Sequence, residues 1–315
     1  MAFDAVYLGI DYGGTAVKLG LIDGDGNLVH KTSLASEPLR DDAACKSFAT
    51  EVERFVCSTG TSLSDVGGAG LAVPGIVADG IGHTPNVDVD WTLVLKYLQS
   101  TFPEVSIRIL NDANAAALGE MWKGAGKDAD SVLLVTLGTG VGSGFVVDGH
   151  IVAGGHGAAG EVGHVTVVPG GRPCNCGRAG CVEKYASARG VVQTYRECKD
   201  SGLYGQEDFG FAPDHDGDAF TVCKAARAND PCAKKAFAVM ADKLGFALAQ
   251  VSCIVDPAVI LLGGGLAAGY DVFLEDLREA YKAYSLAACA QTPILCASLM
   301  GDAGMFGAAR FAMCE

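Results

Sequence analysis

The sequence predicts an α/β protein of two domains with mixed sheets, and three observations lead to this prediction. The chain has 315 residues, a length at which about two domains are expected. A strand, a glycine turn and a second strand follow one another twice, over residues 6–22 and again over 132–147. Elsewhere short apolar strands alternate with helical patterns, of which 231–255 is the longest. The repeat indicates two related halves that face each other across a cleft.

Composition and charge exclude several classes of protein. Hydrophobic residues make up 50% and charged residues 19% of the chain, which is typical of a globular protein. The 23 basic and 37 acidic residues give a net charge of −14. No basic stripe is present to bind a nucleic acid or an anionic membrane. The sequence shows no signal peptide and no apolar run of transmembrane length. Twelve cysteines could suggest secretion, but three of them lie in one candidate metal-binding loop and the other nine are scattered through apolar or helical patterns. This distribution indicates a reducing cytoplasm with mostly buried thiols.

The first half is predicted to begin with a hairpin. Its two strands, 6–10 and 16–22, enclose the turn Asp11-Tyr12-Gly13-Gly14-Thr15. Glycines at such a turn let backbone N–H groups approach an anion closely, as in a phosphate nest. The chain contains neither a Walker loop nor a dinucleotide fingerprint. A strand at 28–33, a helix at 41–57 and a buried strand at 66–73 are predicted to follow.

A strand at 107–110 is predicted to run directly into a helix. Asn111 and Asp112 precede a run of alanines, which are strong helix formers. An N-cap is the commonest reason for Asn or Asp at this point. A carboxylate at a strand end beside a phosphate loop is also placed to accept a proton from an attacking hydroxyl group. Both interpretations of Asp112 are open at this stage.

The second half repeats the opening pattern after a linker at 123–130. Strands at 132–137 and 145–147 flank a glycine-rich turn over 138–144. A loop at 202–218 precedes the long helix 231–255. The remaining predicted elements are a strand at 258–262 that ends in three glycines, a strand at 293–297 and a C-terminal helix at 305–314.

Four potential soft or imidazole ligands lie close together in the sequence: His164, Cys174, Cys176 and Cys181. Three thiolates and one imidazole complete a tetrahedral zinc site with no open position, as in a structural knuckle. The prolines and glycines between them suit a tight turn. The alternative is that the cysteines are small buried hydrophobic residues. Glu161 and Glu183 bracket the ligands and are able to accept hydrogen bonds from the hydroxyl groups of a polyol.

These motifs resemble those of the ROK family, which contains repressors, open reading frames and kinases. G-E-V-G-H followed by C-N-C-G-R-A-G-C-V-E-K-Y-A-S resembles the family signature. D-x-G-G-T resembles the first phosphate loop of the wider sugar kinase–actin superfamily, and N-D-A-N-A-A-A-x-G-E resembles its catalytic segment. The resemblance covers nearly the whole chain and is closest to the bacterial ATP-dependent glucokinases.

The resemblance implies a two-domain actin-like ATPase (ribonuclease-H-like) fold with a cleft between the domains. The small domain would comprise 1–112 with the C-terminal helix 303–315, and the larger one 113–302 with a zinc-binding insertion at 156–183. The implied reaction is phosphoryl transfer from ATP and Mg²⁺ to the 6-hydroxyl of glucose. ATP and a hexose are the expected small-molecule partners, and a homodimer or homotetramer is the expected assembly.

The resemblance also implies a role for each matching residue. Asp112 would be the catalytic base and would touch the sugar. The other sugar-binding residues would be Asn86, Asn111, Glu161, His164 and Glu183, with His164 also a zinc ligand. The ATP and magnesium site would be formed by Asp11, Gly13, Gly14, Thr15, Lys18, Gly138, Thr139, Gly140, Gly263, Gly264 and Gly265. Lys18 could equally be a solvated strand residue, and Asn86 beside a proline could be plain turn chemistry.

Several alternatives share these motifs. N-acetylmannosamine, N-acetylglucosamine or fructose could replace glucose as the acceptor. A sugar-sensing repressor would carry a DNA-binding domain ahead of the first phosphate loop, and the ten residues before Asp11 leave no room for one. Its DNA contacts would also need positive charge, whereas this chain is acidic. A sugar-binding protein without catalysis would not need Asp11 and Asp112. Polyphosphate is a less suitable donor because the glycines at 263–265 fit an adenine.

Overall fold

The computed structural model describes residues 5–78, 80–83, 88–203, 210–216 and 218–314. The strands are β1 Val6–Tyr12, β2 Ala16–Asp23, β3 Leu28–Ala35, β4 Val66–Val73, β5 Ile76–Ala78, β6 Ile81–His83, β7 Ile107–Asn111, β8 Ser131–Leu137, β9 Val141–Val147, β10 His150–Ile151, β11 Val259–Gly263 and β12 Ile294–Cys296. The helices are α1 Asp42–Ser58, α2 Trp91–Thr101, α3 Asp112–Lys123, α4 Glu183–Ala186, α5 Ala188–Ser201, α6 Ala219–Arg227, α7 Pro231–Val255, α8 Tyr270–Tyr284 and α9 Ala303–Met313.

The first sheet has the strand order β3-β2-β1-β4-β7. The antiparallel pairing of β1 with β2 confirms the predicted hairpin, and β4 is parallel to both β1 and β7. Helix α9 packs against this sheet at positions where the strands have glycine. A Cβ atom at Gly9 would collide with the carbonyl of Met305, and one at Gly70 with that of Ala308. Glycine at these strand positions therefore lets the helix backbone approach the sheet closely.

Helices α1 and α2 complete the core that includes β1 and β4. Phe48 and Val52 of α1 and Trp91 of α2 are buried with the apolar side chains of these strands. The rings of Tyr12 and Trp91 meet edge to face, with centroids 5.1 Å apart, an arrangement that aromatic pairs prefer. The hydroxyl of Tyr12 donates to the carbonyl of Glu37. The strand that leads to the first glycine turn thus ends in a rigid, packed position.

The second sheet has the order β10-β9-β8-β11-β12. Strand β9 begins at Val141, four residues earlier than predicted, so the turn is limited to residues 138–140. The sequence 141–144 is glycine-rich for a reason other than turn formation. A Cβ at Gly144 would lie 2.6 Å from the carbonyl oxygen of Ala113, so this glycine allows close packing against α3.

Helix α7 has the predicted bounds and packs against α8. A Cβ at Gly245 would lie 2.8 Å from the backbone nitrogen of Tyr281, and the rings of Phe237 and Phe273 stack with centroids 5.9 Å apart. By length and composition, α7 could cross a membrane. Its apolar residues do not form an uninterrupted run, because Lys234, Lys235, Asp242 and Lys243 lie among them. One face of the helix, which includes Met240, Leu244 and Leu248, is buried in the core, whereas Ile254 near its end is exposed; a buried apolar face is typical of a core helix.

The chain divides into two compact units. The first comprises Met1–Val132, Gly144–Gly160 and Ala297–Glu315, and the second comprises Leu133–Ser143 and Glu161–Cys296. The predicted boundary at residue 112 differs from this division, because α3 belongs to the first unit. Helices α3 and α9 are in backbone contact there: a Cβ at Gly119 would collide with the carbonyl of Ala303.

Glu120, a fully buried residue of α3, fixes two loops of the first unit. Its carboxylate accepts a hydrogen bond from the backbone N–H of Leu299 at 2.7 Å and from that of Ser298 at 3.1 Å. The N–H of Ala125 donates to the same carboxylate at 2.9 Å. A buried carboxylate needs such partners to offset its desolvation. The loop after α3 and the loop before α9 are therefore held by one side chain.

Candidate active site

The predicted first phosphate loop is the turn between β1 and β2. The N–H of Gly13 donates to the carbonyl of Ala16 at 3.0 Å, and the hydroxyl of Ser36 donates to the carbonyl of Gly13 at 2.6 Å. Gly14 and Thr15 form an exposed tip. A Cβ at Gly14 would meet nothing within 4 Å. The turn is thus fixed at its base and open at its tip, where an anion could approach the backbone.

Asp11 lies beside this turn in an acidic cluster. It pairs with Lys18 across the hairpin. Burial raises the pKa of Asp11 to about 6; the charge of Lys18 opposes this shift, and the charges of Asp112 and Asp302 add to it. A Cβ at Gly304 would lie 2.7 Å from the Asp11 carboxylate, so the first turn of α9 approaches this side chain. Carboxylate oxygens of this kind are the ligands that Mg²⁺ takes in phosphoryl-transfer sites.

The structure assigns different roles to Asn111 and Asp112. Asn111 is the N-cap of α3, because its side-chain oxygen accepts a hydrogen bond from the N–H of Asn114 at 2.9 Å. Its amide group donates to the carbonyl of Gly75 at 2.9 Å. Asp112 is the first helical residue, and its carboxylate accepts from the N–H of Ala113 at 2.8 Å and from the amide of Asn111 at 3.0 Å. N-capping therefore does not account for Asp112.

In the second unit, the two other predicted glycine turns lie side by side. Gly138 and Gly140 close a turn at the end of β8, where the N–H of Gly138 donates to the carbonyl of Gly140 at 3.0 Å. Gly264 follows β11 with a φ of +87°, a conformation that favours glycine. A Cβ at Gly264 would collide with the backbone of Leu137. The turns that contain Thr139 and Gly265 are thus brought together at the ends of neighbouring strands.

Glu183 follows the segment of the predicted zinc ligands, residues 164–181, and its side chain contacts the turn at Gly138–Gly140. Its carboxylate accepts a hydrogen bond from the N–H of Val141 at 3.2 Å. A Cβ at Gly140 would lie 2.6 Å from the same carboxylate, so glycine is needed there for this approach. Glu161 is exposed and lies three residues before His164 on a short 3₁₀ turn. Asn86 lies outside the described residues.

The four predicted zinc ligands converge in the second unit. The ligand atoms of His164, Cys174, Cys176 and Cys181 all lie within 4.8 Å of one another. The sulfur of Cys174 is 3.7 Å from Nδ1 of His164, and the sulfurs of Cys176 and Cys181 are 3.6 Å apart. Thiolates at about 2.3 Å from a tetrahedral zinc ion would be about 3.8 Å apart. The donor set and its spacing therefore fit zinc.

The backbone turns of this ligand segment and the lowered pKa of one of its thiols also suit a bound cation. Gly180 has a φ of +80°, and a Cβ there would collide with the carbonyl of Val168, so the chain can turn here only at a glycine. The backbone N–H of Arg178 is the main cause that lowers the pKa of Cys176 to about 6, whereas burial raises that of Cys181 to about 12. A bound metal ion would deprotonate both thiols.

Comparison with known proteins gives the family. The sequence profile of the ROK family matches residues 7–314. This chain belongs to the ROK family. A glucokinase of Halalkalibacterium halodurans is 36% identical over 315 residues, which is 96% of this chain and 94% of that protein.

Solved ROK structures match the fold over nearly the whole chain. A ROK hexokinase from Thermus thermophilus has a TM-score of 0.81 and 30% identity, covering 98% of this chain and 97% of the other. A ROK glucokinase from Streptomyces griseus, in complex with glucose and AMPPNP, has a TM-score of 0.75 and 29% identity, covering 98% of this chain and 99% of the other. These matches confirm the predicted α/β fold of the ROK sugar kinases.

Other proteins that match this chain carry different names. An N-acetylgalactosamine kinase of a Shewanella species is 31% identical over 89% of this chain, and a putative xylose repressor of a Caldicellulosiruptor species is 30% identical over 86% of it. Family membership therefore leaves the substrate open.

One residue of this ROK site was missed by the sequence analysis. Asp302 contributes to the acidic cluster around Asp11 and forms an ion pair with Lys31 at 2.7 Å. The neighbouring carbonyl of Gly301 accepts a hydrogen bond from Lys18. The signal was present as the G-D-A-G motif at residues 301–304, where the C-terminal helix begins. Nothing local in the sequence links it to Asp11, nearly three hundred residues earlier.

Proposed function

We propose that this ROK protein is an ATP-dependent hexose kinase that phosphorylates the 6-hydroxyl group of glucose. The observation that carries the proposal is the position of Asp112, whose carboxylate follows β7 and adds to the charge around Asp11. This position supports Asp112 as the base that acts beside the predicted phosphate loop. The relatives named glucokinase, and the related structure that holds glucose and AMPPNP, support glucose and ATP as substrates.

In the proposed reaction, the oxygen of the sugar hydroxyl forms a bond to the γ-phosphorus of ATP, and the bond from that phosphorus to the ADP oxygen breaks. Asp112 takes the hydroxyl proton. Phosphoryl transfer depends mainly on positioning and on the neutralisation of charge. Lys18 would face the phosphates from β2. Mg²⁺, when bound near Asp11, would neutralise charge on the phosphate oxygens.

The sugar hydroxyl groups would be bound by Asn86, Asn111, Glu161, His164 and Glu183. Nδ1 of His164 faces the sulfur of Cys174, which leaves Nε2 for a sugar. A structural zinc ion would then fix the imidazole through Nδ1, as metal ligation does elsewhere. The turns at Gly138–Gly140 and Gly263–Gly265 would hold the phosphates and the adenine. The twelve free cysteines support a reducing cytoplasm; a homodimer or homotetramer stays a prediction.

A coupled ADP-release assay tests the proposal directly. The panel would contain glucose, fructose, N-acetylglucosamine, N-acetylmannosamine and N-acetylgalactosamine, with ATP or polyphosphate as donor. We expect the highest kcat/KM for glucose with ATP. A higher kcat/KM for an N-acetylated sugar would identify that sugar as the substrate, and the proposal of an ATP-dependent sugar kinase would still hold. Tight sugar binding with no ADP release from any member of the panel would instead support a sensor without catalysis.

Changing Glu183 to Gln tests the sugar contact. The amide oxygen of Gln can still accept from the N–H of Val141, but the charge that would bind a sugar hydroxyl is lost. A badly paired buried hydroxyl costs roughly 1–3 kcal/mol, so we expect the KM for glucose to rise about tenfold to a hundredfold and the KM for ATP to change less. Glu279→Gln, at an exposed position of α8, is the matched control.

The same measurement separates two roles of Glu183. If the side chain serves only to organise the Gly138–Gly140 turn through Val141, the KM for ATP will rise and that for glucose will not. That outcome would remove Glu183 from the sugar site. Equal values for Glu183→Gln and the parent protein would make it an ordinary half-buried carboxylate.

A further inference from the structure

Three charged side chains of the first sheet lie on the face that α9 covers. Asp11 of β1 is opposite Lys18 of β2, and Lys31 of β3 is opposite Gly20, two residues further along β2. Positions two apart on a strand lie on the same face of a sheet, so the three side chains share one face. A Cβ at Gly20 would collide with the sulfur of Met305, which identifies this face as the one beneath α9.

The loop before α9 binds both lysines. The carbonyl of Gly301 accepts a hydrogen bond from Nζ of Lys18, and the carboxylate of Asp302 forms an ion pair with Lys31 at 2.7 Å. A lysine ammonium group has three hydrogens to donate. Lys18 can therefore keep its contact with this carbonyl and still donate to a phosphate group.

This loop reaches the lysines from a fixed base. The buried carboxylate of Glu120 accepts a hydrogen bond from the N–H of Leu299 at 2.7 Å. The N–H of Asp302 donates to the carbonyl of Leu299 at 3.0 Å, which closes a turn. Met300, inside the turn, has a φ of +53° although its side chain is exposed. Such a strained backbone persists only where its surroundings impose it, so the contacts on either side of Met300 hold the turn.

The side chain of Asp302 is used for the ion pair and not for capping. Asp302 stands at the N-cap position of α9, but within the described helix it accepts no capping hydrogen bond. Its ion pair with Lys31 is partly exposed, with 30% and 53% of the two side chains accessible. Ion pairs of this kind contribute little to stability. Positioning of the loop on the hairpin accounts for the pair better than stabilisation of the fold does.

We infer that Asp302 is a positioning residue for the phosphoryl transfer proposed above. Its ion pair with Lys31 holds the turn at residues 299–302 on the hairpin, and the carbonyl of Gly301 then directs the ammonium group of Lys18 to the phosphates. Asp302 acts through Lys18 and does not need to touch either substrate. The inference rests on the proposed function, because it assigns Lys18 to the phosphates of ATP.

Changing Asp302 to Asn tests this role, because charge and position predict opposite results. By charge alone, the loss of a carboxylate near the phosphate turn would favour the binding of ATP. Loss of the ion pair would instead displace Lys18, and a displacement of about 1 Å in an active site can cost about 100-fold. We expect kcat/KM for ATP to fall about tenfold, with little change in glucose binding or melting temperature. An unchanged or higher kcat/KM would overturn the inference.

Lys31→Met breaks the same ion pair from the other side and changes the charge in the opposite direction. We expect it to lower kcat/KM for ATP by a similar factor, and the double variant to be no worse than either single one. In a Lys18→Met protein, Asp302→Asn should cause no further loss; a further tenfold loss would show that Asp302 does not act through Lys18. Asp42→Asn, which breaks the exposed ion pair with Lys96, is the matched control and should leave kcat/KM unchanged.

Acylation of Lys18 tests the positioning without any turnover. Acetic anhydride reacts with free amines, and mass spectrometry gives the rate at each lysine. We expect Asp302→Asn and Lys31→Met both to raise the rate at Lys18 about twofold to fivefold, the factor that corresponds to one exposed ion pair, and Asp42→Asn to leave it unchanged. Equal rates, or opposite changes in the two variants, would overturn the inference. Parent protein that releases no ADP would refute the proposed function, and the acylation rates would still decide whether Asp302 holds Lys18.

Discussion

Replacing Asp112 with asparagine is expected to lower kcat by at least about 100-fold with little change in melting temperature. The variant keeps the shape of the side chain but cannot take the proton of the sugar hydroxyl, and general bases typically contribute about 10²–10⁴-fold. Stability should survive because the cap of α3 is Asn111 and not Asp112. The oxygen of the new amide can still accept from the N–H of Ala113.

Three measurements separate catalysis from structure at Asp112. kcat is measured in the ADP-release assay, the melting temperature by calorimetry, and glucose binding by titration without ATP, where weakened binding should persist. Asp90→Asn is the matched control, since Asp90 caps α2 through the N–H groups of Thr92 and Leu93 and lies outside the acidic cluster. An Asp112→Asn protein almost as active as the parent would exclude Asp112 as the base.

The second prediction with a large expected effect concerns zinc. Purified protein should contain about one zinc ion per chain, and Cys176→Ser should lower both the metal content and the melting temperature. The free energy of zinc binding is also folding free energy, because the site does not exist in the unfolded chain. A loss of about 3 kcal/mol would lower the melting temperature of a cooperatively unfolding unit of roughly 150–250 residues by about 6–12 °C.

Cys57→Ser is the control for the zinc prediction. Cys57 is another exposed free cysteine, but it lies on α1, outside the set of four converging ligands. Its substitution should change neither metal content nor melting temperature. Active protein that is prepared without chelators and contains no zinc would disprove the metal site. The four residues would then be a thiol cluster held by packing alone.

Local features of the sequence determined most of the elements around the site. The strand–turn–strand pattern at Asp11 and the bounds of α7 follow from hydrophobic periodicity and from glycine, which act over a few residues. The spacing of Cys174, Cys176 and Cys181 brings ligands together within one short segment, so their convergence was predictable. The motifs also sufficed to predict the ROK family, because the residues that carry it are consecutive in the chain.

Only the tertiary structure decided how distant segments meet. The carboxylate of Glu120 binds backbone N–H groups 178 and 179 residues further along the chain, and Asp302 joins Asp11 in one acidic cluster. The domain boundary differed from prediction because α3 packs on α9 through Gly119. Glu183 was predicted to bind a sugar, which stays a prediction, and the contact that the sequence did not indicate is the hydrogen bond that its carboxylate accepts from the N–H of Val141. Such contacts depend on packing between elements, which periodicity and turn chemistry do not encode.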